Sequence, residues 1–289
     1  MSAAILENVT AEQYHADPCA LPSLSASIAT QLVTRSPYHA YLYHPRLGGV
    51  KREASKEMDR GSLIHALVLG SPDECVIIDA DNYRTKAAQE RRDEARANGL
   101  TPILAREHAE VQEVADAIRV KMHAEGIDLT GRSEVVVNWT EETPAGKVLC
   151  RGMMDHLIEN RAVIFDLKNS VNAHPKKFAA SCIEYGYDIQ FAAYTSAFRK
   201  LRPDLAGRER FTWLIIEELP AGSPDRVILT VAEPSAMMRE LGKHRWEKAC
   251  AQWAQCVESG VWPGYSVGTA KIDPPAWAMR ELQEEVGAG

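Results

Sequence analysis

The chain has no uninterrupted run of about twenty apolar residues, so no membrane-spanning helix is expected. Its first stretch, MSAAILENVTAEQYHADP, carries acids early and lacks a basic segment followed by an apolar one. That argues against a secretion signal and makes the cytoplasm the expected compartment. No Cys-x-x-Cys pair occurs. Cys19, Cys75, Cys150, Cys182, Cys250 and Cys256 are scattered, so a zinc or iron–sulfur centre is poorly supported and free buried thiols are the expectation. Internal repeats and low-complexity tracts are absent as well. Positive charge is not in excess: the formal net charge is −7, whereas chains that bind nucleic acid are more often basic. This weighs only mildly against such a partner. A carboxylate cluster gathers metal, and Lys51-Arg52, Arg91-Arg92, Lys176-Lys177 and Arg199-Lys200 could line one channel, although each pair alone reads as a solvated face.

What is present is ample core material. With 289 residues and 45% hydrophobic content, the chain suits one domain, 1–289. Residues 20–130 read as mainly helical, 131–235 as a sheet core, and 236–289 as a final helix and an irregular tail containing WPGYS and DPPAW. Residues 1–22 read as extended or irregular. Ser25 or Ser27 caps a helix carrying Ile28, Leu32 and Val33, and Pro37 starts another with Tyr38, Tyr41 and Leu42 towards the core. The two serines and Arg35 either belong to two packed helices or meet a phosphate at a helix N-terminus. A basic loop, 46–56, leads into a helix over 55–70 that Gly70-Ser71-Pro72 stops. Inside it His65 reads as a satisfied core histidine, and Gly61 one turn earlier leaves room for a close approach. Residues 73–80 read as a short strand or extended run. The polar segment 85–98, ending at Gly99, reads as an exposed helix or a flap, and 102–125 as an amphipathic helix that includes Ile103 and Leu104.

The chain is organised around RGMMDHLIENRAVIFDLK, residues 151–168. The run KVLCRGMMD ends at Asp155, and AVIFDLK carries Asp166 and Lys168. Side chains alternate along a strand, so Asp166 and Lys168 share a face with Leu167 opposite. His156 to Arg161 reads as the turn of an antiparallel hairpin that folds Asp155 back towards Asp166. Two carboxylates and an ammonium at one point suit metal-assisted phosphodiester hydrolysis. The carboxylates hold a hard cation, and the lysine orients or deprotonates water or offsets transition-state charge. An ordinary hairpin with a surface Asp-Lys pair fits the same residues equally well. Glu134, starting the preceding strand SEVVVNWT, is either an edge-strand charge or a third acid of the cluster. Further on, 174–182 and 185–201 read as helices, and Gln190 and Tyr194 share a face of the second. FTWLIIEEL and DRVILTVAE read as strands joined by PAGSP, and 234–259 as a helix. The element order implies an α/β fold: a central mixed β-sheet flanked by helices, with an N-terminal helical elaboration.

Taken together, LSAS…SPYHA, GSLIHALVLG, RGMMD followed eleven residues on by DLK, the Gln-x-x-x-Tyr of YDIQFAAY and the WPGYS tail resemble the PD-(D/E)XK (restriction-endonuclease-like) nuclease superfamily. Within it they are similar to phage recombination exonucleases of the exodeoxyribonuclease VIII (RecE) type. The resemblance spans residues 20 to about 265. It implies that Asp155, Asp166, the Leu167 carbonyl and His65 hold Mg²⁺, with Mn²⁺ able to substitute. It further implies that Lys168 positions the nucleophilic water, that Gln190 and Tyr194 organise the site, and that Glu134 is a further metal ligand. The motif proline before the first Asp is absent, Met154 standing there. By the same resemblance the activity is a 5′-to-3′ exonuclease on linear double-stranded DNA that leaves 3′ single-stranded tails for strand annealing. A homo-oligomeric ring, a RecT-like annealing partner and a phage or prophage origin in a bacterial host's cytoplasm follow from it too. The alternatives are an endonuclease or single-strand nuclease of repair or defence, or a non-catalytic DNA-binding or assembly protein.

Overall fold

The structure is a computed structural model that describes residues 3–50, 56–70, 75–98, 100–265, 268–275 and 279–280. The basic pair Lys51-Arg52, the Ser71-Pro72 stop, the start of the strand expected over 73–80, Gly99 and part of the tail lie outside the described residues. In chain order the elements are β1 (Ala4–Ile5), α1 (Ala11–His15), α2 (Ala26–Thr34), α3 (Pro37–Tyr43), α4 (Lys56–Leu69), β2 (Cys75–Ile78), α5 (Lys86–Ala97), β3 (Thr101–Leu104) and α6 (Ala105–Ala124). Then follow β4 (Arg132–Thr143), β5 (Gly146–Ile158), β6 (Val163–Asn169), α7 (Pro175–Tyr185), α8 (Tyr187–Leu201), β7 (Arg210–Glu218), β8 (Val227–Ala232) and α9 (Ala236–Ser259).

Six strands form one sheet in the order β1-β4-β5-β6-β7-β8. Only β6 and β7 run parallel; the other pairs are antiparallel. This is the mixed sheet flanked by helices that the pattern implied. Alternation along the strands divides the interior into two layers. Ile164, Phe211, Trp213 and Ile215 face a core shared with α2, α8 and α9. Leu167, Leu214 and Ile216 face a second core built by α4 and α6. The loss of apolar area from water on both faces is the main force holding the sheet between its helices. A buried ion pair fastens two of those helices: Arg245 Nη1 lies 2.7 and 2.8 Å from the carboxylate oxygens of Asp188, which is fully buried.

Several expectations need correction. Residues 1–22 are not all extended or irregular: β1 is an extended strand paired with β4, but α1 is a helix with a Thr10–Gln13 capping box. Ile103 and Leu104 belong to β3 rather than to the following helix; β3 pairs in parallel with β2 as a separate two-stranded sheet. The polar α5 is an exposed helix seated on that small sheet through Ala88 and Ala95, beside Ile78 and Leu104. On α3, Ala40 rather than Tyr38 faces the core, and Tyr38 is half exposed and stacked on Tyr41. The hairpin turn is tighter than expected. His156 to Ile158 remain in β5, and the reversal is made by a 3-10 turn, Glu159–Arg161, closed by Ala162 at φ +55°.

Candidate active site

The site lies where two paired strands part. The β5–β6 ladder runs Ile158↔Val163, Leu157↔Ile164, His156↔Phe165 and stops there. The next positions in register are Asp155 and Asp166. A parted pair of strands leaves backbone donors without partners, and an unpaired buried N–H is costly. Asp155 fills the gap: its Oδ2 accepts the Leu167 N–H at 2.8 Å. The carboxylate thereby takes the place of a ladder bond and is fixed at the mouth of the fork.

Asp166 and Lys168 share the face opposite Leu167, as strand alternation requires. Lys168 Nζ stands 2.6 Å from Asp166 Oδ2. The ammonium therefore compensates Oδ2 of this fully buried carboxylate, while its Oδ1 has no hydrogen-bond partner. His65 comes from α4 on the other side of the sheet. Its Nδ1 lies 3.6 Å from Asp155 Oδ2, and its ring hydrogen-bonds the Leu167 backbone. The neighbours of His65 on the helix, Leu63, Ile64 and Leu67, fill the apolar core, while His65 is partly exposed towards the acids. Gly61 lies against the Asn169 side chain, 3.3 Å from where a Cβ would be.

The electrostatics follow from burial. Desolvation pushes the Asp166 carboxyl up to about 6, with the Asp155 charge adding and Lys168 opposing. Asp155 is raised by burial against the pull of Lys168 and the Leu167 N–H. Burial, then the Lys168 charge, lowers His65 to about 4. Burial would lower Lys168, but Asp166 and Asp155 outweigh it and raise the ammonium.

Gln190 and Tyr194 come from α8. Gln190 Nε2 donates to the Tyr194 hydroxyl at 3.2 Å, which donates to the Met153 carbonyl at 2.6 Å, two residues before Asp155. The Tyr194 ring rests on Gly152, the one position here that must lack a side chain, since a Cβ would stand 2.8 Å from Cε1. Glu134 is in register opposite Asp155, between the pairs Ser133↔His156 and Val135↔Met154. Its φ of +51° breaks that ladder. No cluster of three His, Cys, Asp or Glu side chains that could hold a metal is formed among the described residues, so a donor set here needs the backbone of Leu167.

The fork opens into a cavity of about 410 Å³ whose wall includes Asp155, Lys168, Gln190 and Tyr194, with Ser25 and Ser27 from the start of α2. Ser25 caps α2 and contacts Ser27 at 3.0 Å. Arg35 caps the far end of α2 and so does not join the serines. Arg151, Tyr14, His15 and Tyr187 also line the cavity and were not singled out from the sequence. The signal for Arg151 was a guanidinium inside the run VLCRGMM, whose other residues carry no charge. Buried to 3% exposure, it donates to the Ser23 carbonyl at 2.6 Å and hydroxyl at 2.9 Å. It also stands 3.4 Å from Asp17, which in turn contacts His44 at 3.3 Å. This cluster ties the N-terminal segment to β5.

The donors fit a hard divalent cation. Two carboxylates converge, one with an oxygen that has no hydrogen-bond partner, and an imidazole and a backbone group lie beside them. Asp155, Asp166, His65 and Leu167 are the residues that would hold it.

Residues 31–273 match the family described as a PDDEXK-like domain of unknown function. This chain belongs to that family. Its fold is therefore a PDDEXK-like, α/β nuclease fold, and divalent metals are general among such nucleases. Among solved structures, a candidate exonuclease from Eubacterium rectale is similar over 96% of this chain and 98% of its own, with a TM-score of 0.60 at 15% identity. A phage-related exonuclease from Haemophilus somnus 129PT matches 85% of this chain and 99% of its own, with a TM-score of 0.36 at 12% identity. A search of curated proteins finds no match. Among the described residues no helix is long and apolar enough to cross a membrane.

Proposed function

We propose that this chain is a Mg²⁺-dependent exonuclease that degrades linear double-stranded DNA from 5′ ends and leaves 3′ single-stranded tails. The observation that carries the reading is the fork. Asp155, Asp166 and Lys168 meet there, and one oxygen of the fully buried Asp166 carboxylate, Oδ1, has no hydrogen-bond partner. So costly an arrangement is retained where a cation completes it. The bound metal would acidify water and draw charge from the phosphate. Asp155 and Asp166 are its carboxylate ligands, His65 and the Leu167 carbonyl complete the protein's share, and Glu134 is the remaining acid in reach by register. Lys168, braced by Asp166, positions the attacking water and offsets charge gathering on phosphorus. Tyr194, itself held by Gln190, fixes the Met153 carbonyl and with it the stretch of β5 that presents Asp155. Mn²⁺ can take the place of Mg²⁺. A RecT-like annealing protein and assembly into a ring around DNA complete the proposal, with action in the cytoplasm of a phage's bacterial host.

The test is DNA cleavage and DNA binding measured side by side. Lys168→Ala is expected to abolish cleavage while binding persists. Asp155→Asn and Asp166→Asn are expected to remove the metal-dependent rate. Full cleavage by Lys168→Ala would overturn the assignment.

A further inference from the structure

Beside the fork, on the side where β6 runs out, exposed apolar and aromatic side chains stand among Asn169, Ser170 and Ser181. Val171, three residues after Lys168, is wholly exposed at 101%. Tyr185 ends α7 at 58% exposure. Tyr187 begins α8, its ring 5.8 Å from that of Tyr185 and 5.7 Å from that of Phe178, nearly parallel to the latter. Lys168 Nζ lies 4.8 Å from the centre of the Tyr187 ring, so the ring touches the reacting lysine on one side and the exposed tyrosine on the other. Tyr185 and Tyr187 are the wall shared by two cavities, the one containing Asp155 and Lys168 and a neighbour of about 500 Å³ that Val171 and Phe178 also line. No carboxylate lines that neighbour. Lys176 and Lys177, exposed in the first turn of α7, have no acidic partner among the described residues.

Resting on the nuclease reading above, we propose that the ledge of Tyr185, Tyr187 and Val171 receives a nucleobase drawn out of its pair beside the phosphate being cut. Aromatic side chains with flanking cations are how an unpaired strand is held, since every base offers a π-face whatever its sequence. The ledge adjoins the site directly, so a base on it belongs to a nucleotide next to the scissile bond. Lys176 and Lys177 complement the backbone that continues past it. An exposed valine at such an edge stands where the complementary strand must turn away. The substrate class is accordingly an end that opens, with the cut strand unpaired at the site.

The test uses the full chain with Lys168→Ala, which holds DNA uncut, and a short single-stranded oligonucleotide with Mg²⁺, read by fluorescence anisotropy. Adding Tyr185→Ala is expected to weaken binding roughly 5- to 150-fold, the range for loss of one stacked base. Tyr185→Phe is expected to restore it, because stacking needs the ring and not the hydroxyl. With Lys168 intact, Tyr185→Ala is expected to slow cleavage of fully paired ends more than of ends frayed by mismatches. Val171→Ser, a change at a fully exposed position that leaves the fold intact, is expected to show the same bias more weakly. Unchanged binding and an unchanged ratio of paired to frayed cleavage in Tyr185→Ala, with wild type cutting DNA normally, would overturn the ledge and leave the nuclease standing. So would equal losses in Tyr185→Phe and Tyr185→Ala. Wild type that cuts no DNA would overturn both.

Discussion

Gly152→Ala offers a sharp test of how α8 is held against the site. Gly152 is an ordinary strand residue with no left-handed backbone to explain it; what it supplies is space. A methyl there would stand 2.8 Å from Tyr194 Cε1, 3.1 Å from Cδ1 and 3.4 Å from Trp139 Cη2. Real contacts of this kind sit near 3.5–4.0 Å, so the ring must retreat by roughly 1 Å. Trp139 stands behind the methyl and is buried, so the other side cannot give. Overfilling a packed interior costs about 1–3 kcal/mol. A retreating ring also stretches the 2.6 Å bond from its hydroxyl to the Met153 carbonyl, worth about 1 kcal/mol. The sum, about 2–4 kcal/mol, lowers Tm by roughly 3–7 °C for a chain of this size. Cleavage is expected to fall about 100-fold, since the displaced bond anchors the residue two before Asp155 and a misplacement near 1 Å carries that penalty. Thermal melts and cleavage of linear duplex at saturating Mg²⁺ provide the readouts. Gly152→Ala combined with Tyr194→Leu is expected to recover stability but not activity, a non-additivity that marks direct contact. A single variant with wild-type Tm and rate would refute the reasoning.

Two further outcomes follow from buried charges away from the fork. For Asp17, burial raises the carboxyl, but the contacts with His44, Arg151 and Ser23 outweigh it and bring it from 3.8 to about 2. At about 1.36 kcal/mol per pH unit that gap is worth about 2 kcal/mol of stability. Because the folded value is depressed, this stability is present above about pH 4 and is lost as pH falls through about 2. The loss in chemical stability caused by Asp17→Asn should therefore shrink between pH 7 and pH 2; an equal loss at both would contradict the cluster. Asp188→Ala strands the Arg245 guanidinium, 9% exposed, and should cost about 3–5 kcal/mol. Replacing both residues with Leu and Met should cost less, and equal denaturation midpoints for single and double variants would argue against the pairing.

Much of the site was legible because it is written in local spacing. Strand alternation alone puts Asp166 and Lys168 on one face and Leu167 on the other. A four-residue interval aligns Gln190 with Tyr194, and one reversal carries Asp155 back to Asp166. The fork itself was not legible: nothing in KVLCRGMMD says that pairing stops at His156, because that depends on the Asp155 carboxylate replacing a backbone partner. His65 illustrates the same limit. Its apolar neighbours imply a core position, and only the packing of α4 over the end of β6 turns the ring to the acids. β1 is two residues long and carries no period of its own. Ile103 and Leu104 suit the apolar stripe of α6 as well as a strand, and pairing with β2 decides between them. The Asp17–Arg151 cluster joins residues 134 positions apart, which no local pattern can encode.

The central claim is best tested on end-labelled DNA. Linear duplexes labelled at either the 5′ or the 3′ end, and the same sequence as a closed circle, are incubated with wild type and Lys168→Ala, with Mg²⁺ and with chelator. The account predicts Mg²⁺-dependent release of label from 5′ ends only, intact circles, and no release by Lys168→Ala. Cutting of the closed circle would keep the site and contradict the exonuclease. Release that persists in Lys168→Ala or in chelator would contradict the site itself.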